Sequence, residues 1–77
     1  MTHLYLIDDN ENSFNYVYAA LIKYAHHQPI QAEQCCLITN ETGKCHIKQG
    51  DVLELLKIQK NLADAGLTIE FRQDMYA

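Results

Sequence analysis

The chain has 77 residues, 48% of them hydrophobic and 21% charged, which predicts one globular domain over residues 1–77, with no apolar run near the roughly 18 residues of a membrane span. Six Lys and Arg against ten Asp and Glu give a net charge of −4, and Asp8, Asp9 and Glu11 precede the first Lys or Arg, Lys23. That balance excludes a nucleic-acid binder, which needs a basic stripe to neutralise phosphates, and favours a cationic ligand or partner.

Met1-Thr2-His3-Leu4 lacks the basic region and long apolar stretch of an export signal, so the expected location is cytoplasmic. His3 to Ile7 reads as a short strand, followed by a polar loop from Asp8 to Ser13 in which Asn12 or Ser13 can cap a helix. Phe14, Val17, Tyr18, Leu21, Ile22 and Ala25 recur at helical spacing, which predicts an amphipathic helix. Tyr16, Tyr18 and Tyr24 belong to its core edge. His26-His27-Gln28 ends it, the histidines standing as cations at the negative end of the helix dipole. Pro29 suits the first turn of a second helix through Ala32, Cys35, Cys36, Leu37 and Ile38 to about Glu41, and Gly43 stops it. Cys45 and Ile47 alternate with Lys44, His46 and Lys48 in a strand with one wet face. Asp51 and Glu54 have the spacing of a capping box before a third helix, whose apolar face is Val52, Leu55, Leu56, Ile58, Leu62 and Ala65. After Gly66, the alternation of Leu67, Ile69 and Phe71 predicts a last strand. The expected fold is α+β, in the order β-α-α-β-α-β, with a three-stranded antiparallel sheet covered by three helices.

Catalytic chemistry finds little support. Cys35, Cys36 and Cys45 are odd in number, two are adjacent, and reduced thiols are expected. With His26, His27 and His46 they lack the paired spacing of structural zinc, and Asp8-Asp9-Asn10-Glu11 is too short for a calcium loop. No Gly-rich phosphate loop or G-x-S-x-G nucleophile occurs. Cys45 and His46, the one thiol–imidazole neighbour pair, point to opposite faces of a strand. The reading is a binding module with no catalytic residue, metal or cofactor.

Ile7-Asp8-Asp9-Asn10-Glu11-Asn12-Ser13-Phe14-Asn15-Tyr16-Val17, with Gln31-Ala32-Glu33-Gln34-Cys35, Thr42-Gly43-Lys44 and Ala65-Gly66-Leu67, resembles the ClpS family over nearly all of the chain. Those proteins are adaptors that present N-degron substrates to the Clp ATPase–protease. The closest likeness is to a compact branch with a short N-terminus: the first strand begins within a few residues of Met1, so no N-terminal extension is expected, and the third-helix region is shorter than usual. The same plan is shared with the C-terminal domain of the ribosomal stalk protein, whose lysine-rich surface is missing here.

The resemblance implies an ammonium-binding set and a side-chain pit. The family's Asn, Asp and His for the substrate's α-amino group fall on Asp8, Asn10 and Asn40. Its pit falls on Asn12, Phe14, Val17, Cys36, Thr39 and Leu67. The loop keeps one carboxylate and one amide with their places exchanged, and Asn40 keeps an oxygen acceptor that cannot titrate. Phe14 and Cys36 stand where methionines are usual, and Thr39 where an aliphatic residue is. The implied partners are N-degron peptides and the N-terminal domain of a Clp AAA+ ATPase. The alternative is a ClpS-like interaction module that docks or inhibits without recognising N-degrons.

Overall fold

A computed structural model describes residues 1–9 and 11–73. Its elements are β1 (Thr2–Ile7), α1 (Phe14–Tyr24), α2 (Pro29–Thr42), β2 (Lys44–Gly50), α3 (Val52–Asp64) and β3 (Thr68–Gln73). The sheet order is β2-β1-β3 with both pairings antiparallel, so the first strand of the chain lies at its centre. Strict alternation along β1 explains this position: Thr2, Leu4 and Leu6 are buried, while His3, Tyr5 and Ile7 lie on the other, half-covered face.

The helix ends follow their capping chemistry. Ser13 Oγ accepts the Tyr16 N–H at 3.2 Å and starts α1. Pro29 opens α2, and Gly43, at φ 94°, closes it by donating its N–H to the Thr39 carbonyl at 2.9 Å. Asp51 caps α3 by accepting from Leu53 N at 3.3 Å, but the expected capping box is not completed. Glu54 turns instead to Lys48 Nζ, 3.6 Å away, because α3 crosses the sheet beside β2.

Helix α2 lies on β2, α3 touches all three strands, and α1 packs on α2 and α3. The core between these layers comprises Leu4, Leu6, Ala20, Leu21, Ala25, Ala32, Cys35, Cys36, Ile47, Leu55, Ile58, Leu62 and Leu67. The helical stripes read from the sequence are wider than the faces actually covered. Leu37 and Ile38 of α2 and Val52 and Leu56 of α3 are exposed, because three strands are too narrow to reach the flanks of the stripes.

Two further corrections concern the α1–α2 junction and β2. His27 is a buried side chain rather than a dipole-stabilised surface cation. His26 takes a left-handed backbone conformation at φ 58°, and the Nε2–H of His27 donates to the Ile47 carbonyl at 2.9 Å. Ile47 needs that donor. The register passes from Leu4↔Lys48 to Tyr5↔His46, so Ile47 is a bulge residue with no partner on β1.

Candidate functional site

The loop after β1 is fixed at both ends by backbone and side-chain bonds. Asp8 donates its N–H to the Gly43 carbonyl at 2.8 Å, which ties the loop to the α2–β2 turn. Asp9 folds over the next residues: Oδ1 accepts from the Glu11 and Asn12 N–H groups at 3.1 Å each, and Oδ2 from Asn12 Nδ2 at 3.1 Å. Asn12 Nδ2 also donates to the Gly66 carbonyl at 2.9 Å, and Tyr16 OH donates to the Ala65 carbonyl. Gly66 presents its carbonyl from φ 93°, a conformation that a side chain would strain. The loop is thus pinned between two glycine turns.

Beside it lies a cavity of about 310 Å³, near the small end of the roughly 300–1,000 Å³ of ligand sites. The end of β1 contributes Leu6 and Ile7, the loop Asp8, Asp9 and Asn12, α1 Phe14 and Val17, and α2 Cys36, Thr39 and Asn40. Leu6, Cys36 and Thr39 are buried and form the deep part, whereas Asp8, Phe14 and Asn40 are exposed. Thr39 spends its hydroxyl proton on the Cys35 carbonyl at 2.8 Å, an intrahelical bond that spares the cavity an unpaired donor. Burial pushes the Cys36 thiol above its ordinary range, with the nearby Cys45 adding to it, so the wall atom is a neutral, polarisable sulfur. Its neighbour Cys35 is raised further, first by burial and then by the hydrogen-bonded Cys45 thiol.

The rim is one-signed. Among the described residues two carboxylates, Asp8 and Asp9, line the cavity and no Lys or Arg does. Asp9 is saturated by N–H donors, but among the described residues neither the Asp8 carboxylate nor the Asn40 amide has a hydrogen-bond partner. Chemically, the site offers an apolar floor with a negative oxygen and an amide at its mouth.

A protein-family model described as the ATP-dependent Clp protease adaptor protein ClpS matches residues 1–69 of the 77. The chain belongs to the ClpS family. That makes it, at family level, a Clp protease adaptor rather than an enzyme, with a Clp ATPase as the partner the family implies. No curated protein matches the chain closely enough to count as a relative. Among the described residues no helix is long and apolar enough to cross a membrane.

The ClpS-type site residues expected from the sequence fall into three groups. Asp8, Asn12, Phe14, Val17, Cys36, Thr39 and Asn40 meet around the one cavity. Leu67 does not: it is buried in the core, because the N–H of Leu67 closes α3 on the Leu62 carbonyl and the side chain turns inward. Asn10 lies outside the described residues. Leu6, Ile7 and Asp9 line the cavity without having been singled out. The strand's alternation could have flagged Leu6 as buried, and Asp9, three residues before Asn12, has the spacing of an Asx turn.

Proposed function

We propose that this ClpS-family chain works as a single adaptor domain in the cytoplasm, binding the first residue of an N-degron in the cavity at the end of β1. The observation that supports this reading most is that the Asp8 carboxylate and the Asn40 amide, above the floor of Leu6, Cys36 and Val17, have no hydrogen-bond partner among the described residues. An α-ammonium needs acceptors and net negative charge, and a charge-assisted hydrogen bond to Asp8 supplies both. Asn40 accepts through its oxygen at any pH, and Asn10 belongs to the same set by resemblance. The bulky side chain enters between Phe14 and Val17 and ends against Cys36 and Thr39.

Docking on the N-terminal domain of a Clp AAA+ ATPase falls to a different surface. Val52, Leu53 and Leu56 of α3 are exposed apolar side chains, and a second, shallower cavity of about 410 Å³ runs from Val52 and Leu56 to Thr2 and Phe71. Contiguous exposed apolar residues of this kind mark a protein-binding surface.

Fluorescence anisotropy with peptides that differ only in their first residue tests the reading. Phe-, Tyr-, Trp- or Leu-initiated peptides bind, and the same peptides lose binding on N-acetylation, which removes the charge. Equal binding of free and acetylated peptides rejects the N-degron site. If no peptide binds but the ATPase domain still does, the chain is a docking module alone.

A further inference from the structure

The sheet face turned away from the helices carries a cluster that peptide binding does not use. His3 and Tyr5 stand on β1, Lys44, His46 and Gln49 on β2, and Glu70 and Arg72 on β3, paired as Tyr5↔His46, Tyr5↔Glu70, His3↔Gln49 and His3↔Arg72. His3 Nδ1 and His46 Nε2 are hydrogen-bonded at 3.0 Å, with ring centroids 5.1 Å apart and planes inclined at 61°. The Tyr5 ring packs edge-on against His46, with centroids 5.3 Å apart.

We propose that His3 and His46 form a two-imidazole site for a first-row divalent transition-metal ion that bridges β1 and β2. Imidazole is a preferred ligand for these ions, and metal–nitrogen bonds are about 2.0–2.1 Å long. Two such bonds at a right angle place their nitrogens about 2.9 Å apart, whereas a tetrahedral angle needs about 3.3 Å. Both separations lie within a few tenths of an ångström of the observed 3.0 Å, so a first-row divalent ion such as nickel(II) fits between the rings after small shifts. Ring rotations turn both nitrogens toward the ion, and the proton shared between them moves to the other nitrogen of the donor ring, so both imidazoles bind in the neutral form.

The β2 bulge creates this geometry. Continued without it, the register would set Lys48 across from His3; with it, neutral Gln49 stands there. Lys48 instead pairs with Leu4 and carries its ammonium to Glu54 of α3. The Arg72 guanidinium, the other cation across from His3, donates from Nε to Glu70 at 2.7 Å and lies over the Tyr5 ring, as does the Lys44 ammonium. Among the described residues no group of three or more His, Cys, Asp or Glu gathers, so the proposal is confined to these two imidazoles. Such a clip stabilises the folded chain by mass action, because the two imidazoles meet only when β1 and β2 are paired.

Titration of the reduced protein with nickel(II) chloride, followed by calorimetry and by NMR of the imidazole protons, tests the site. One equivalent binds, and the His3 and His46 ring signals broaden together. Replacement His3→Ala or His46→Ala weakens binding by at least the roughly 10–100-fold that loss of a supporting group costs a metal site. His46→Gln, which keeps a polar side chain of similar size, does the same, and Cys45→Ser leaves affinity unchanged. Undiminished affinity in either histidine variant overturns the proposal; loss with His3→Ala alone assigns the metal to the chain's amino end. Loss in Cys45→Ser assigns it to the thiols and overturns the proposal as well.

Discussion

Asp8 and Asp9 are neighbours of one residue type with different work, and the division is set by their hydrogen bonds. Asp9 is consumed in holding Glu11 and Asn12, whereas Asp8 presents its carboxylate outward at the cavity mouth. Asp8→Asn removes the charge and leaves the loop intact. A hydrogen bond to a charged group contributes about 1.5–3 kcal/mol, so peptide affinity falls roughly 10–100-fold by anisotropy while the melting temperature stays within a degree or two. Asn12→Ala has the opposite signature. It takes donors from Asp9 and from the Gly66 carbonyl, costing about 1–3 kcal/mol in denaturant unfolding. The buried thiols give a pH dependence. Cys35 and Cys36 hold their protons above the ordinary thiol range in the fold, so between the unfolded value and the raised one the unfolded chain has already released protons that the native chain retains. Their contribution is complete below about pH 8.5 and is lost as pH rises. In urea unfolding at pH 7 and pH 10 under reductant, Cys35→Ala therefore loses less stability with alkali than the parent. None of this division was legible from residue types alone. The resemblance brought Asp8 and Asn40 together, but which aspartate is free depends on bonds that only the folded loop makes. Leu67 does not line the cavity, because its backbone adjoins the site through Gly66 while its side chain faces the core.

At the level of elements, periodicity located the strands and helices to within a residue or two at most ends, since caps such as Ser13, Pro29, Gly43 and Asp51 are local chemistry. What periodicity could not supply was the bulge, a register shift in the pairing of β2 with β1 between Leu4 and Tyr5. Its residue Ile47 has no partner on β1 and takes the Nε2–H of His27 on its carbonyl, which explains why a histidine is buried at the end of α1. His27→Ala leaves that carbonyl without a donor and a void beneath the α1–α2 junction, so it destabilises by about 2–4 kcal/mol in urea unfolding. An unchanged midpoint would show that the bulge carbonyl finds water at no cost. Residues of the α2 and α3 stripes were harder to read for a related reason. The sequence shows how wide an apolar stripe is, but the width of the sheet decides how much of it is covered.

Across the whole molecule, the two ends of the central strand carry two different surfaces. The cavity beside Asp8 follows the last residue of β1, and the groove beside Thr2 adjoins its first. Six residues rising about 3.4 Å each separate them by some 17 Å, too far for one ligand residue to span. The proposed peptide site and the proposed ATPase-docking surface are therefore expected to separate by mutation. Leu53 and Leu56 are exposed on α3, and replacing both by Ser removes apolar contact area without opening the core. The double variant keeps its melting temperature and its affinity for Phe-initiated peptide, but loses at least tenfold in affinity for the ATPase N-terminal domain, because each buried Leu is worth about 1.5–3 kcal/mol. Asp8→Asn does the reverse, losing peptide while retaining the ATPase. Paired titrations of both variants against both partners check the separation. Docking that survives Leu53→Ser with Leu56→Ser moves the ATPase contact off α3, and peptide binding that falls with it shows the two surfaces to be one coupled unit.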